Sequence, residues 1–559
     1  MARRCFTAYS TWALHDELGD RVHLSEALVL AALDELERRW RPAGYMPEFF
    51  NIDYGWTDPE LGYRHFHRQA WPQGPTRVFE RIRAAGMLPG LWYAVNGGHL
   101  KVPGWEPSRS SAWWHFSLVS GPYADDLADG LLFAAEVWGV RFFKFDFADF
   151  AAGIKGDPRS AEERYALGAE RFVAIVERLR RSVPDCITIA HCGFARHDPE
   201  GRLGPGVPPL AADPGMLEVI DGFFSGDPQL TDLPMTAAWR SCDLYQDVQV
   251  RALHAAGFPL HRIEDHGALC GDTNTALRRG RRGLRRSQLA SLARGGRRDL
   301  FYGDPRLPRD EDLRALAAAR RLFQDAWARG LECSPLGGPP GLSEWHGWLT
   351  GGGRRGLAWI VNPHLVATVA RVPLLNLERA RVLWHDGAAP TLQSQPDALL
   401  LALGPEQAVL IGLGQYADPA WQLPADDEPL PRCSRLLPLA WRSTAQGLEA
   451  AVPPLASDEE LVVAVRALDG PPQHPGPLPP CRFAKQHDKD GVQPPESQRL
   501  LAIEGEGCEL LAEVPAVSAW NGTSWVLRRF RPGPAAAIRI VSRLDPPRRL
   551  RAEAWALRW

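Results

Sequence analysis

The stretch VRFFKFDF, residues 140–147, reads as a short apolar β-strand whose C-terminal end carries two ionisable residues, Lys144 and Asp146, spaced two apart. Side chains two apart on a strand share a face, so an ammonium and a carboxylate stand side by side at one end of it. Seven comparable runs surround it: CFTAYSTW (5–12), EFFNIDY (48–54), MLPGLWYAV (87–95), CITIAH (186–191), VIDGFFSG (219–226), the weaker FPLHRIEDH (258–266) and DLFYG (299–303). Helical spacing fills the intervals. Leu28, Ala32, Leu36 and Trp40 follow Ser25, Leu127, Leu131, Ala135 and Trp138 repeat the pattern, and Leu313, Leu316, Arg320, Phe323 and Trp327 form the last helix. Ser160 with Glu163 has capping-box spacing ahead of Phe172, Ile175, Val176 and Leu179. Eight strands, each followed by a helix or long loop, predict an α/β fold with a (β/α)8 TIM barrel over residues 1–330. The first strand is not followed by Gly-x-Gly-x-x-Gly, which argues against a dinucleotide-binding sheet.

Beyond residue 333 the pattern changes to short, turn-separated apolar runs such as LAWIVN, ARVLWHD and QAVLIGLG. They predict an antiparallel β domain over 333–416. A Pro-rich stretch, 418–432, opens an additional β-rich domain over 417–559, within which 471–497 reads as a mobile loop. The expected architecture is therefore a barrel followed by C-terminal antiparallel β domains.

Composition narrows the function classes. The 559 residues exceed what one hydrophobic core serves, and 45% hydrophobic with 23% charged residues is globular. A net charge of −3 provides no field for nucleic acid or an anionic membrane. The densest basic run, RRGRRGLRR (278–286), reads as a solvated face. Nine cysteines without a Cys-x-x-Cys pair give neither a disulfide framework nor a zinc site, and no cofactor is expected. The N-terminus lacks an apolar leader segment, and no run approaches a membrane span, so a cytoplasmic protein is expected. Tryptophan is abundant, 21 residues against 10 tyrosines. Flat indoles suit stacking on sugars, and equally suit large cores.

In a barrel of this type function collects at the C-terminal ends of the strands. Lys144 and Asp146 there form either a buried structural ion pair or a reactive site, since a cation beside a carboxylate favours the charged form a nucleophile needs. Asp227 closes the sixth strand, as a helix-capping residue or as the second carboxylate that acetal hydrolysis requires. Asp243 and Asp247 are rivals on one helix face, with Arg240 and Arg251 as partners in a purely structural reading. Asp53 and Trp56 at the second strand's end, and Trp92 in the third, make the usual pairing of carboxylate and indole for a monosaccharide pocket, or pack the barrel.

AYSTW, FFNIDYGW, PGLWYAV and VRFFKFDF resemble successive strands of the α-galactosidase clan, glycoside hydrolase families 27 and 36. DPGMLEVIDGFFSGD, with Asp213, Gly215 and Met216 ahead of Asp227, is similar to the corresponding element of family 36. The resemblance covers residues 1–416. It implies a retaining glycoside hydrolase, α-galactosidase-like, that cleaves terminal α-linked sugars through a glycosyl-Asp intermediate. Asp146 would be the nucleophile and Asp227 the acid/base, with Asp53, Trp92, Lys144 and Cys192 contacting substrate. Trp239-Arg240 resembles a family 27 element and keeps Asp243 as the alternative acid/base. The implied partner is a carbohydrate, with no nucleic acid and no membrane. Three departures bear on sugar identity: Tyr54 follows Asp53 where galactose-selective members carry a second Asp, AVNGG replaces a Glu-Pro pair, and SGDPQ replaces a tighter Ser-Asp form. The loop DHGALCGDTNT, with Asp265, His266, Asp272 and Asn274, offers replacement contacts or simply a turn. Two alternatives stand beside hydrolysis: transglycosylation by the same residues, and a catalytically silent carbohydrate-binding barrel.

Overall fold

The computed structural model describes residues 5–15, 22–106, 115–191, 194, 214–227, 229–426, 428–483, 495–516 and 523–559. The chain forms two compact units, one of Met1–Asp227, Gln249–Thr273 and Gly296–Ala317, the other of Pro228–Val248, Asn274–Gly295 and Ala318–Trp559.

The first unit contains a parallel sheet of β1 (Phe6–Ser10), β2 (Phe49–Ile52), β3 (Leu88–Ala94), β4 (Phe142–Asp146), β5 (Ile187–Ala190), β6 (Gly222–Phe224), β7 (Ile263–Glu264), β8 (Ala268–Cys270) and β9 (Arg298–Gly303). All eight expected strand regions hold a strand. The hydrogen-bonded order is β8-β9-β1-β2-β3-β4-β5-β6-β7. Its two ends are consecutive in the chain, because only residues 265–267 separate β7 from β8. The seventh barrel position is thus one kinked strand, pairing through β7 with β6 and through β8 with β9, and the (β/α)8 barrel closes through it. His266 (φ 62°) and Gly267 (φ 59°) make the kink. A Cβ on Gly267 would stand 2.2 Å from the Leu300 carbonyl oxygen, so both the backbone conformation and the close approach call for glycine.

The intervening helices are α1 (Glu26–Glu35), α2 (Thr76–Ala84), α3 (Tyr123–Glu136), α4 (Ala161–Ser182), α5 (Pro214–Val219), α6 (Ala238–Ala255), α7 (Leu284–Ala293) and α8 (Asp310–Ala328). Ser25 caps α1 by accepting from the Leu28 N–H, and Val29, Ala32 and Leu33 bury its inner face. The expected capping box starts α4: Ser160 Oγ accepts from the Glu163 N–H at 3.1 Å, and the Glu163 carboxylate accepts from the Ser160 N–H at 2.7 Å.

Strand periodicity sorts the barrel interior into layers. Phe6, Phe49 and Phe142 pack ring against ring at the start of β1, β2 and β4, with centroids 5.5–6.2 Å apart. Two and four residues further along the same faces the chain turns polar, at Ser10 beyond Ala8, at Asn51 and Asp53, and at Lys144 and Asp146. The opposite faces carry rings toward the helices, as where Tyr9 meets Trp40 and Phe50. The sequence alternation thus places an aromatic floor under a polar mouth.

In the second unit a five-stranded antiparallel sheet (Cys333–Gly337, His346–Gly352, Arg355–Val361, Ala408–Gly414, Ala380–His385) and a three-stranded one (Thr368–Pro373, Ala398–Leu403, Thr391–Ser394) share a core that includes Ile360, Val372, Leu401 and Ile411. A larger antiparallel sheet is built from strands between Cys433 and Arg558, with Leu461, Val463, Phe530 and Ile540 in its core. The basic run at 278–286 is not a solvated face. Arg279, Arg285 and Arg286 are buried. Arg286 pairs with Asp386, Arg240 lies 3.1 Å from Glu406, and the guanidinium groups of Arg240, Arg279 and Arg286 surround the Trp239 ring at 4.6–5.8 Å. Carboxylates from distant strands and an indole face make this burial tolerable, and neither partner is visible in the local run. Among the described residues no helix is long and apolar enough to cross a membrane.

Candidate active site

Asp53 follows β2 with no exposed surface, and its carboxylate is held on all sides. Oδ2 accepts from Lys144 Nζ and Ser10 Oγ at 2.9 Å and from Asn51 Nδ2 at 3.0 Å, while Oδ1 accepts from the Tyr54 N–H at 3.0 Å. Burial alone would push this carboxyl up, but Lys144 and the surrounding donors outweigh it and hold it below the usual carboxylate range. Lys144 is itself 1% exposed, its Nζ lying 5.6 Å from the Trp12 ring centroid and 5.4 Å from that of Tyr302.

Asp146 ends β4 on the same face as Lys144. Trp92 Nε1–H donates to its Oδ2 at 3.1 Å, and the Phe147 N–H donates to its Oδ1 at 2.8 Å. The parallel register sets Trp92 beside Lys144 and Ala94 beside Asp146. Phe147 takes the left-handed conformation (φ 48°), uncommon for an aromatic residue, and turns the backbone N–H onto the carboxylate. Four of the expected residues, Asp53, Trp92, Lys144 and Asp146, are therefore joined in two hydrogen-bonded pairs, Trp92–Asp146 between the adjacent β3 and β4 and Asp53–Lys144 across β3.

The remaining expected residues are placed differently. Asp227 lies three residues past β6, half-buried, after Ser225, whose N–H donates to the Glu264 carbonyl at 2.8 Å, and Gly226 (φ 126°). Asp243 is on α6 in the second unit, where it accepts from Ser287 Oγ at 2.7 Å and lies 3.5 Å from Arg279. Asp247 accepts from Arg294 and Trp348 at 2.9 and 2.8 Å, so it is a buried ionic anchor rather than part of a solvated surface, and Arg240 lies against Glu406 instead. Cys192 and Asp213 lie outside the described residues. Trp56 is fully buried among Tyr63, Phe66, Tyr93 and Trp138, with its Nε1–H on the Trp92 carbonyl, and is a packing residue.

Sequence reasoning passed over Ser10 and Asn51, the neutral donors to Asp53, although Asn51-x-Asp53 carries the same two-residue signal as Lys144-x-Asp146. It also passed over Glu264, His191 and Tyr302. Glu264 is 1% exposed at the end of β7, and Tyr302 donates to its Oε1 at 3.1 Å. His191 and His266 are buried, which holds both imidazoles well below their ordinary value and keeps them neutral. Among the described residues no cluster of His, Cys, Asp and Glu is arranged to hold a metal ion. A depression of about 550 Å³ in the second unit, lined by residues such as Val369, Pro390, Leu403 and Leu430, has neither a carboxylate nor an indole and so lacks the groups for this chemistry.

No protein-family model matches the chain, and no curated protein matches it in sequence. Solved structures similar to this one include a family 36 alpha-galactosidase from Geobacillus stearothermophilus in complex with raffinose, 14% identical over 73% of this chain and 56% of that one, TM-score 0.49. The galactosidase domain of an alpha-galactosidase-sucrose kinase is 14% identical over 74% of this chain and 55% of that one, TM-score 0.49. An alpha-galactosidase from Lactobacillus brevis is 12% identical over 73% of this chain and 55% of that one, TM-score 0.49. The chain spans little more than half the length of these proteins.

Proposed function

We propose that the protein is a retaining glycoside hydrolase that cleaves terminal α-linked sugars, α-galactosides above all, with Asp146 as nucleophile and Asp227 as acid/base. The observation that carries this reading is the Asp146 carboxylate at the barrel mouth, fixed through Oδ2 by Trp92 Nε1–H and through Oδ1 by the Phe147 N–H, one pleat from the Asp53–Lys144 pair. Two N–H donors fix a carboxylate in one orientation while leaving it a lone pair, which is what in-line attack on an anomeric carbon needs.

In the first step an Asp146 oxygen bonds to the anomeric carbon, the glycosidic C–O bond breaks, and the proton of Asp227 passes to the leaving oxygen. In the second step Asp227, now a carboxylate, takes a proton from water, the water oxygen bonds to the anomeric carbon, and Asp146 leaves. The configuration is inverted twice and so retained. Asp53, already saturated with donors, serves to hold Lys144, and the ammonium is the group offered toward sugar hydroxyls.

A panel of p-nitrophenyl α- and β-glycosides, followed by a mechanism-based glycosyl inactivator and peptide mapping, tests the reading. Release from an α-glycoside with label on Asp146, and loss of turnover in Asp146→Asn without loss of fold, are the expected results. Label on another residue, or an active Asp146→Asn, overturns it.

A further inference from the structure

We propose that Glu264 and His191 form a hydroxyl-binding pair at the barrel mouth that selects the sugar, an inference that rests on the glycosidase reading. Glu264 Oε1 is engaged, accepting from Tyr302 OH at 3.1 Å and from the His266 N–H at 2.9 Å. Glu264 Oε2 lies 3.1 Å from His191 Nε2, yet the two are not aligned as donor and acceptor. Among the described residues neither atom has a hydrogen-bond partner, and His266 Nδ1 is a third buried atom in the same condition. The two imidazole centroids are 5.8 Å apart. A buried polar atom without a partner costs about 1–3 kcal/mol, and folded proteins keep such atoms few. Three gathered in one place are a standing cost that a ligand able to bond with them removes.

The place is the reacting end of the barrel. His266 stacks on Trp12 at 4.4 Å, and the same indole lies beside Lys144 Nζ. His191 follows β5, its N–H donating at 2.7 Å to the carbonyl of Phe145, the residue before Asp146, and its ring stacks on Phe224 at 4.2 Å. Stacking, rather than hydrogen bonding, sets the plane of both imidazoles. Two of the non-glycine residues in the left-handed region, Phe147 and His266, flank this mouth, and backbone strain of that kind gathers at functional sites.

The chemistry fits a hydroxyl group. A carboxylate oxygen accepts its proton and a neutral imidazole, kept neutral by burial, donates Nε2–H to its oxygen.

Calorimetric titration of the full chain with methyl α-galactoside, its four monodeoxy analogues and methyl α-glucoside tests the proposal in the wild type, Glu264→Gln and His191→Phe. One deoxy analogue is expected to bind the wild type about 100-fold more weakly than the parent sugar, and to bind Glu264→Gln no more weakly than the parent does. His191→Phe keeps a ring against Phe224 and removes the Nε2–H, and it should lose the discrimination at the same analogue, which keeps the proposal testable if Glu264→Gln misfolds. Equal losses for every analogue in all three proteins mean that the atoms hold internal water only, and overturn the proposal. Failure of every methyl glycoside to bind overturns it as well; hydrolysis of an aryl α-glycoside, read in parallel, shows whether the glycosidase reading falls with it.

Discussion

Breaking the Asp53–Lys144 pair should cost far more in either single substitution than in the double one. The pair is 2.9 Å apart with side-chain exposures of 0% and 2%, so removing one member strands a charge where water cannot reach it. Such breaks cost about 3–5 kcal/mol, whereas replacing both charges by neutral groups costs much less. The surroundings predict an asymmetry. After Lys144→Met, Asp53 keeps Ser10, Asn51 and the Tyr54 N–H as donors, which places the loss near about 3 kcal/mol. After Asp53→Asn, Lys144 loses its carboxylate and retains the Trp12 and Tyr302 ring faces, which places the loss near about 5 kcal/mol. The double variant should lose less than about 2 kcal/mol, below either single loss and far short of their sum. Urea denaturation at neutral pH, followed by near-ultraviolet circular dichroism, reads these differences. Asp53 has a folded pKa depressed below its unfolded value, so its contribution is present above about pH 4 and is lost as pH falls through the folded value. Lys144→Met should flatten that acid limb. Additivity within about 0.5 kcal/mol, or a single-variant loss below about 1 kcal/mol, would refute the reasoning.

Asp227→Asn should reduce turnover of glycosides with poor leaving groups by at least about 100-fold more than turnover of activated aryl glycosides, because only the former need the proton; equal losses across leaving groups would remove Asp227 as the acid. The buried imidazoles of His191 and His266 have folded pKa values below the unfolded value, so protons bind preferentially to the unfolded chain below about pH 6.5. Stability should therefore be full above that pH and fall as pH drops through the window, by up to about 1.4 kcal/mol per histidine per unit; a melting temperature unchanged between about pH 7 and pH 5.5 would contradict this. Gly267→Ala should destabilise by more than about 2 kcal/mol, since its Cβ would meet the Leu300 carbonyl oxygen at 2.2 Å in a left-handed backbone, and thermal melting beside wild type checks it.

Residue spacing alone located the eight barrel strands, the capping box of α4 and the pairing of Lys144 with Asp146 on one face, because these depend on periods of two and of 3.6 residues along a short segment. The same two-residue rule carries Phe142 through Lys144 to Asp146, from aromatic floor to polar mouth, and it could have flagged Asn51 before Asp53. Other features depend on which distant segments meet. The split of the seventh strand at His266 and Gly267 arises where β7 and β8 must satisfy two different neighbours as the barrel closes. Glu264 meets Tyr302 only through that closure and His191 only across the intervening β6, and no local pattern links residue 191 to residue 264. The saturation of Asp53 by Ser10, Asn51 and Lys144 is likewise a property of strands β1, β2 and β4 brought into register in one sheet. The burial of Arg279 and Arg286 reverses what their local charge density suggests, because carboxylates and an indole from elsewhere in the chain receive them. Sequence by itself determined the elements and the faces they present; tertiary structure decided the partners, since hydrogen bonds and ion pairs depend on ångström-scale approach between segments whose separation along the chain carries no periodic signal.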